Sequence, residues 1–201
     1  MRKPLLIVIA GPNGSGKTTI TRSVIRHEWA ETCEYINPDE VAQHVFGDWN
    51  DKEAVRKAVN YCDELRERLL CEHKDMIFET VLSSEGKVDF IRRAKDAGYF
   101  VRVFFICTAT PEINASRVAN RVMKGGHDVP ITKIISRYER AISNMAIITP
   151  LIDRAYFYDN SVDNRDACPL FRTTDGLLAK QYTETIPDWT ISIYNKVKQS
   201  I

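Results

Sequence analysis

A glycine-rich loop near the start of the chain constrains the fold more than any other feature. Residues 5–18 read LLIVIAGPNGSGKT, and residues 11–18 satisfy the pattern G-x-x-x-x-G-K-[ST]. The apolar run Leu5–Ala10 before the loop is typical of a strand covered on both faces, and a helix is predicted from about Ser15 to Trp29. A strand, a phosphate-cradling loop and a helix in this order indicate a P-loop NTPase-like α/β fold.

The loop predicts a site for the phosphates of ATP, together with Mg²⁺. Its glycines let successive backbone N–H groups point at anionic oxygens, and the following helix adds the positive end of its dipole. Lys17 is expected to reach the β- and γ-phosphates, and Thr18 to offer its hydroxyl to Mg²⁺. The loop alone leaves a kinase, an ATPase motor and a GTPase open. The residues predicted to bind the nucleotide are Gly11, Pro12, Asn13, Gly14, Ser15, Gly16, Lys17, Thr18 and Thr19.

Composition is typical of a globular protein and points to no polyanionic partner. The 201 residues include 28 Lys and Arg against 27 Asp and Glu, a net charge of +1, which argues weakly against bulk binding to nucleic acid. No apolar stretch reaches the ~18 residues that a membrane span needs. Five scattered cysteines without a C-x-x-C pair suit a reducing compartment. We therefore expect a single cytoplasmic domain over residues 1–201.

Strand and helix patterns alternate along the rest of the chain. This alternation predicts a mostly parallel sheet flanked by helices. A hairpin is predicted over residues 170–180, with its turn at Asp175-Gly176, and a closing helix over Pro187–Lys198. Residues 162–201 are thus interpreted as a C-terminal appendage. The further predicted parallel strands are Glu34–Asn37, Met76–Phe78, Tyr99–Cys107 and Ala155–Tyr158.

Acidic residues follow two of these strands, at the edge of the sheet where ligands bind. Asp39, in INPDE, is a candidate general base for an acceptor hydroxyl, although it can equally cap the next helix; Glu40 is the weaker candidate. Glu79 and Thr80, in MIFET, are candidates for binding the acceptor, and Glu79 also for supporting Mg²⁺. The structural alternatives are an ion pair at the strand edge for Glu79 and a hydrogen bond to the backbone for Thr80.

The sequence of residues 117–145 predicts a mobile lid with several arginines. Two predicted helices flank the segment GGHDVP, whose two glycines allow hinge motion. Arg121, Arg137 and Arg140 are the candidates for stabilising negative charge on a transferred phosphate. A solvated basic face is the alternative interpretation. His127, in the segment between the helices, is a weaker candidate for a ligand contact.

The segment YFYDNS, residues 156–161, is the one clean match to the acidic strand end of an ATPase motor. No arginine-rich assembly signature accompanies it. We therefore interpret Asp159-Asn160-Ser161 as the turn after the last parallel strand, near the nucleotide base. A small-molecule kinase is favoured over a switch or assembly ATPase, a nucleic-acid end kinase, and a protein that acts chiefly by binding a partner.

The order and combination of these motifs resemble those of a known protein family. IAGPNGSGKTT, INPDE, FETVLSS, GGHDVP followed by RYERAISN, and DNS resemble the motifs of the zeta toxin family of P-loop kinases, over residues 5–161. The resemblance implies ATP- and Mg²⁺-dependent phosphorylation of a small-molecule acceptor, such as a sugar hydroxyl of UDP-N-acetylglucosamine. It also implies a small antitoxin protein as a partner. The C-terminal hairpin and helix lie outside the shared motifs, which leaves the acceptor and the toxin role open.

The resemblance also implies roles for individual residues. Lys17 corresponds to the phosphate-loop lysine and Asp39 to the general base. The pair Glu79-Thr80 corresponds to acceptor-binding residues. Arg137, together with Arg121 or Arg140, is similar to the lid arginines that grip the transferred phosphate.

Overall fold

The computed structural model describes residues 2–47, 50–126 and 128–198 and contains the predicted sheet flanked by helices. The strands are β1 (Leu5–Ala10), β2 (Glu34–Ile36), β3 (Met76–Thr80), β4 (Phe100–Cys107), β5 (Arg154–Asp159), β6 (Cys168–Thr174) and β7 (Leu177–Gln181). The helices are α1 (Lys17–Val24), α2 (Pro38–His44), α3 (Lys52–Cys71), α4 (Glu85–Asp96), α5 (Pro111–Met123), α6 (Ile131–Ile148) and α7 (Asp188–Lys198). Within the described residues, no helix combines the length and the apolar character that a bilayer crossing requires.

The strand order places the glycine-rich loop at a topological switch point. The sheet runs β2-β3-β1-β4-β5-β6-β7, and the first five strands in this order are parallel. After β1 the chain moves to β2 and β3 on one side, and then crosses to β4 on the other side. The loops that follow β1 and β3 therefore diverge at the carboxyl edge and leave a crevice between them, which is where such sheets bind ligands.

Apolar side chains cover both faces of the parallel strands. All six residues of β1 are buried, as its continuous apolar run predicts. One face packs against α3, α4, α6 and α7, through a core that includes Phe78, Phe105, Phe157, Phe171 and Trp189. The other face packs against α1, through a smaller cluster that includes Ile7, Ile9, Val24 and Ile106. This two-sided packing gives the loops at the carboxyl edge a rigid base.

The C-terminal hairpin and helix continue the fold, since β6 and β7 extend the sheet beyond β5. The predicted hairpin is present, with Asp175 and Gly176 both at positive φ in its turn. Strand β6 pairs antiparallel with β5, and the Phe171 ring stacks on Phe157 at a centroid distance of 4.3 Å. β6 thus pairs with the edge of β5, and α7 packs Trp189 and Tyr194 onto the apolar face of the extended sheet.

Two predicted boundaries were wrong in ways that affect the site. Helix α1 ends at Val24 instead of continuing to Trp29, and a short 3₁₀ turn follows at Glu28–Ala30. Strand β3 continues to Thr80, so Glu79 is a strand residue and not part of the loop beyond it. Pairing of β3 with Leu6–Ala10 of β1 continues to the end of β1 and extends β3 by these two residues.

Candidate active site

The glycine-rich loop turns the chain from β1 into α1 through backbone conformations that only glycine adopts easily. Gly14 has φ 77°, and Gly16 has φ 93° as the residue that caps α1. A Cβ atom on Gly14 would lie 2.6 Å from the carbonyl oxygen of Asn114. The loop therefore depends on glycine for both its curvature and its close contact with α5.

Two asparagines from distant parts of the chain brace this loop. Asn114 is fully buried in α5, and its Nδ2 donates to the Asn13 carbonyl at 2.6 Å, while the Thr108 hydroxyl donates to its Oδ1. Asn160, just after β5, donates from Nδ2 to the Ser15 carbonyl at 2.8 Å. The sequence placed Asn160 near the nucleotide base and gave no role to Asn114, because one asparagine in a helical pattern carries no signal of its contacts.

The interior of the loop fits the phosphates of a nucleotide. The Ser15 hydroxyl is buried and has no hydrogen-bond partner among the residues that the structure describes. The Lys17 ammonium spans the loop and donates to the carbonyls of Gly11 and Pro12, at 2.9 and 3.0 Å. An unpartnered hydroxyl, a lysine and the N-terminus of α1 are the donor set that binds phosphate oxygens. Thr18 follows directly, at the surface of the same cleft.

The loop faces the predicted acidic residues across one cleft. The cleft has a volume of about 580 Å³, and its walls include Lys17, Asp39, Glu79 and Thr80. The structure therefore brings together residues at the carboxyl ends of β1, β2 and β3, as the topology requires. The sequence interpretation expected this juxtaposition from the strand ends alone.

Several charged groups of the cleft act on the ammonium of Lys17. Burial lowers the pKa of its ammonium, and the carboxylates of Glu79 and Asp39 act in the opposite direction. The guanidinium of Arg121 adds to the lowering. These through-space interactions show that two anionic and two cationic groups share one region around the glycine-rich loop.

Asp39 lies in the first turn of α2, and it does not cap that helix. Asn37 is the cap, since its Oδ1 accepts a hydrogen bond from the backbone N–H of Asp39 at 3.0 Å. The alternative in which Asp39 is the N-cap residue is therefore wrong. Its side chain is exposed and contributes to the wall of the cleft, whereas Glu40 follows it within the helix.

Glu79 is held by a hydrogen-bond network that the sequence did not predict. Its Oε1 accepts from the Thr21 hydroxyl at 2.6 Å and from the Tyr35 hydroxyl at 2.9 Å, and Asn37 Nδ2 donates to the Tyr35 oxygen at 2.9 Å. Burial, and next the Glu79 carboxylate, raise the pKa of Tyr35, so its phenol stays a donor. Because Asn37 also caps α2, the network links the position of Glu79 to that of Asp39.

Thr80 is engaged with its own loop. Its hydroxyl accepts a hydrogen bond from the backbone N–H of Leu82 at 3.0 Å, which is the alternative that the sequence left open. Leu82 is buried at φ 60°, an uncommon conformation for a branched residue, and Asn144 of α6 donates to its carbonyl at 2.9 Å. Thr80 therefore shapes the loop after β3, and its side chain still lines the cleft.

The carboxylate of Asp159 is occupied by the turn and by the C-terminal helix. Oδ1 accepts from the Ser161 backbone N–H at 3.0 Å, and Oδ2 accepts from the indole N–H of Trp189 at 2.8 Å. These contacts fix the turn after β5, as the sequence interpretation expected for this segment. They give Asp159 a structural task instead of the metal-binding one of an ATPase motor.

The predicted lid is the pair of helices α5 and α6, and its arginines differ in placement. Arg121 and Arg137 line the cleft, and Arg137 Nη1 lies 3.4 Å from Asn13 Oδ1 in the glycine-rich loop. Arg140 is exposed and donates from Nε to the Ser136 carbonyl of its own helix, at 3.1 Å. His127, the weaker candidate between the helices, lies outside the described residues.

Arg137 and Arg140 should therefore respond differently to the same substitution. If the cleft transfers a phosphate, we expect Arg137→Gln to lower kcat about 100-fold, because a guanidinium directed at the loop would stabilise charge on the transferred group. Arg140→Gln should change kcat by less than about twofold, as for an exposed surface charge. Steady-state rates of the two variants test this difference, and equal losses in both would contradict it.

Comparison with known proteins identifies the family of this chain. The family model described as Zeta toxin matches residues 1–166. The chain belongs to the zeta toxin family. The matched region contains the loop, the cleft residues and both lid helices, and it confirms the resemblance drawn from the motifs.

Relatives of this zeta toxin family member support the fold. An uncharacterized protein of Haemophilus influenzae is 29% identical over 135 residues, which are 66% of this chain and 91% of the relative. The PezAT toxin–antitoxin system of Streptococcus pneumoniae superposes with a TM-score of 0.62, at 16% identity, over 100% of this chain and 80% of the other. The AvrRxo1-ORF1:AvrRxo1-ORF2 complex with sulphate ions superposes at 0.67, with 18% identity, over 97% of this chain. This chain spans only 63% of that larger chain.

Proposed function

We propose that this zeta toxin family member is an ATP-dependent kinase that phosphorylates a hydroxyl of a small molecule. The observation that carries the proposal is the single cleft in which Lys17 of the phosphate loop faces Asp39. Family membership supports it, and so does a solved AvrRxo1 complex with ATP, at a TM-score of 0.65 and 17% identity over 97% of this chain and 63% of the other. A nucleotide sugar such as UDP-N-acetylglucosamine is the leading acceptor, by family resemblance.

The reaction follows from the positions of the charged groups. The acceptor hydroxyl attacks the γ-phosphorus, its proton passes to the Asp39 carboxylate, and the bond from phosphorus to the ADP oxygen breaks. Lys17, Arg121 and Arg137 stabilise the negative charge on the phosphoryl oxygens. Glu79, held by its hydroxyl partners, positions the acceptor beside Asp39.

The site also fits Mg²⁺. Thr18 lies next to Lys17 at the cleft surface, where its hydroxyl would hold the ion against the nucleotide phosphates. Mg²⁺ in such sites takes one or two protein ligands and completes its shell with phosphate oxygens and water. When bound, it neutralises charge on the β- and γ-phosphates.

Removing the Tyr35 hydroxyl should slow transfer without abolishing it. Tyr35→Phe breaks the link between Glu79 and Asn37, so we expect kcat to fall about tenfold, or about 1.4 kcal/mol, with an unchanged KM for ATP. Tyr61→Phe is the matched control, because Tyr61 is 47% exposed on α3. A Tyr35→Phe enzyme as fast as the control would show that the network does not act in catalysis.

A transfer assay tests the proposed function directly. The protein is incubated with γ-labelled ATP, Mg²⁺ and a panel of nucleotide sugars, nucleosides and oligonucleotides, and each product is read by mass spectrometry for an added phosphate. We expect label on a small molecule. Fast ATP hydrolysis with no labelled acceptor would favour the ATPase alternative, and label on an oligonucleotide would favour an end kinase.

We also propose a small antitoxin protein as a partner, by analogy with the toxin–antitoxin relatives. Purification of the tagged protein from its native host, with identification of any co-purifying small protein by mass spectrometry, tests this. We expect the partner to protect the phosphate loop from ATP, so that the complex binds a fluorescent ATP analogue more weakly than the protein alone. A complex with undiminished affinity would contradict this mode of restraint.

A further inference from the structure

One face of the sheet is covered by helices over only part of its width. Helices α3, α4, α6 and α7 pack on the opposite face, whereas on this face α1 is the only one of the described helices that contributes to the apolar cluster. Parallel strands are normally covered on both faces, so β4 and β5 lack a covering layer here. We call this part of the sheet the open face. Its side chains include Phe100, Arg102, Arg154, Tyr156 and Arg172.

The open face carries three arginines on adjacent strands. Arg102 of β4 is the direct register partner of Arg154 of β5, and Arg172 of β6 is the partner of Tyr156. All three arginines are partly buried. Burial is the main cause that lowers the pKa of Arg102, and the charge of Arg154 adds to the lowering. Because like charges on directly opposite residues destabilise a sheet, this arrangement works against the stability of the fold.

No carboxylate of the described residues neutralises Arg154 or Arg172. Neither arginine takes part in a salt bridge within this part of the chain, and their buried Nε atoms have no hydrogen-bond acceptor there. The helical side of the sheet differs, since Arg93 of α4 pairs with Glu67 and Asp89. A surface that only faces water mixes both signs of charge. The open face has one sign, which is complementary to an anionic partner.

Aromatic rings lie between these cations. The rings of Phe104 and Tyr156 stack at a centroid distance of 4.8 Å, and the Arg102 guanidinium lies over the Phe100 ring at 5.7 Å. Phe100 and Tyr156 pack against the cluster under α1 and remain partly exposed. An occupant of the open face therefore needs apolar groups as well as negative charge.

We propose that the open face binds an acidic amphipathic helix of a partner protein. The helix supplies carboxylates to Arg154 and Arg172 and apolar side chains to Phe100 and Tyr156, and it takes the place of the missing covering layer. The six residues of β5 span about 20 Å, which a helix of about 13 residues matches. None of these residues lines the cleft, so the inference does not depend on the proposed kinase function.

A strand of nucleic acid fits the open face less well. The net charge of the chain is only +1, whereas nucleic-acid-binding domains usually carry a basic surplus. Single strands bind by stacking their bases on aromatic rings. The Tyr156 ring already stacks on Phe104, with an angle of 5° between the ring planes. One face of this ring is therefore occupied from within the chain.

A synthetic helix tests the surface with the full chain. The probe is a fluorescent, side-chain-stapled peptide of about 13 residues, with a leucine stripe flanked by glutamates. Its matched counterpart carries glutamine in place of every glutamate. We expect fluorescence anisotropy to show that the acidic peptide binds about tenfold more tightly than its counterpart, and less tightly as salt is added. A short deoxythymidine oligonucleotide is the third probe and should not bind.

Single substitutions test the arginines themselves. Arg154→Gln and Arg172→Gln should each weaken binding of the acidic peptide about tenfold, because each removes charge-assisted hydrogen bonds. Arg93→Gln is the matched control on the opposite side of the sheet and should bind the peptide as wild type does. The proposal would be overturned by wild type that does not bind the acidic peptide or does not prefer it to its counterpart. Equal affinity in all three variants, or tighter binding of the oligonucleotide, would overturn it as well.

The melting temperature separates a binding role of Arg154 from a structural one. Arg154→Gln removes the positive charge opposite Arg102, so we expect an unchanged or higher melting temperature together with the weaker peptide binding. Thermal unfolding of this variant and of the Arg93→Gln control measures the effect. A lower melting temperature with undiminished peptide affinity would show that Arg154 serves the fold, and it would overturn the assignment of Arg154 to a partner.

Discussion

Replacing Asp39 with asparagine should abolish phosphoryl transfer while leaving ATP binding intact. Asparagine keeps the shape of the side chain but does not take a proton from the acceptor hydroxyl, so we expect kcat to fall about 10³-fold. Affinity for an ATP analogue should be unchanged or slightly higher, because a negative charge is removed from the region of Lys17. Single-turnover transfer and calorimetry measure the two effects separately.

Glu40→Gln is the matched control for this prediction. Glu40 follows Asp39 in α2 and is also exposed to solvent, but of the two only Asp39 lines the cleft. We expect Glu40→Gln to retain wild-type turnover within about twofold, as for a surface charge. Wild-type turnover in Asp39→Asn would remove the proposed base, and a large loss in Glu40→Gln alone would move the base to the neighbouring residue.

Replacing Lys17 with methionine should remove both catalysis and most of the binding of ATP. The ammonium bridges the carbonyls of Gly11 and Pro12 and is the cation directed into the phosphate loop. The methionine side chain is about as long as that of lysine but carries no charge. We therefore expect kcat/KM to fall about 10³-fold through lost stabilisation of the phosphoryl oxygens. The nucleotide affinity should fall as well, unlike in Asp39→Asn.

Lys180→Met controls for the loss of a lysine as such. Lys180 is exposed on β7, at the far edge of the sheet, and lies over the Tyr182 ring. Its replacement should leave kcat/KM within about twofold of wild type. If Lys17→Met bound and transferred phosphate as the control does, the cleft would not be the nucleotide site, and the kinase proposal would fail with it.

Much of the fold follows from the sequence because its signals are local. The apolar run of β1 predicted a strand over Leu5–Ala10, with the boundaries that the structure has. The pair Asp175-Gly176 predicted the hairpin turn correctly, since both residues tolerate positive φ. Each of these signals lies within one segment and does not depend on the rest of the chain.

The sequence also predicted which segments would meet in the cleft. Parallel strands end at the same edge, so residues after β1, β2 and β3 had to converge there. The roles of Asp39, Glu79 and the lid arginines remain predictions. For the lid, helical spacing could not rank Arg137 above Arg140, because the ranking depends on how α6 is rotated against the loop.

The amino-acid sequence by itself determined the phosphate loop, the parallel sheet and the family, because each is encoded in short-range patterns. Only the tertiary structure decided the polar contacts that position the site. Thr21 meets Glu79 across 58 residues, Asn114 meets Asn13 across 101, and Asn160 meets Ser15 across 145. Hydrogen bonds require their atoms within about 3.5 Å. Such distances depend on strand register and helix packing, which cannot be read from a local sequence pattern.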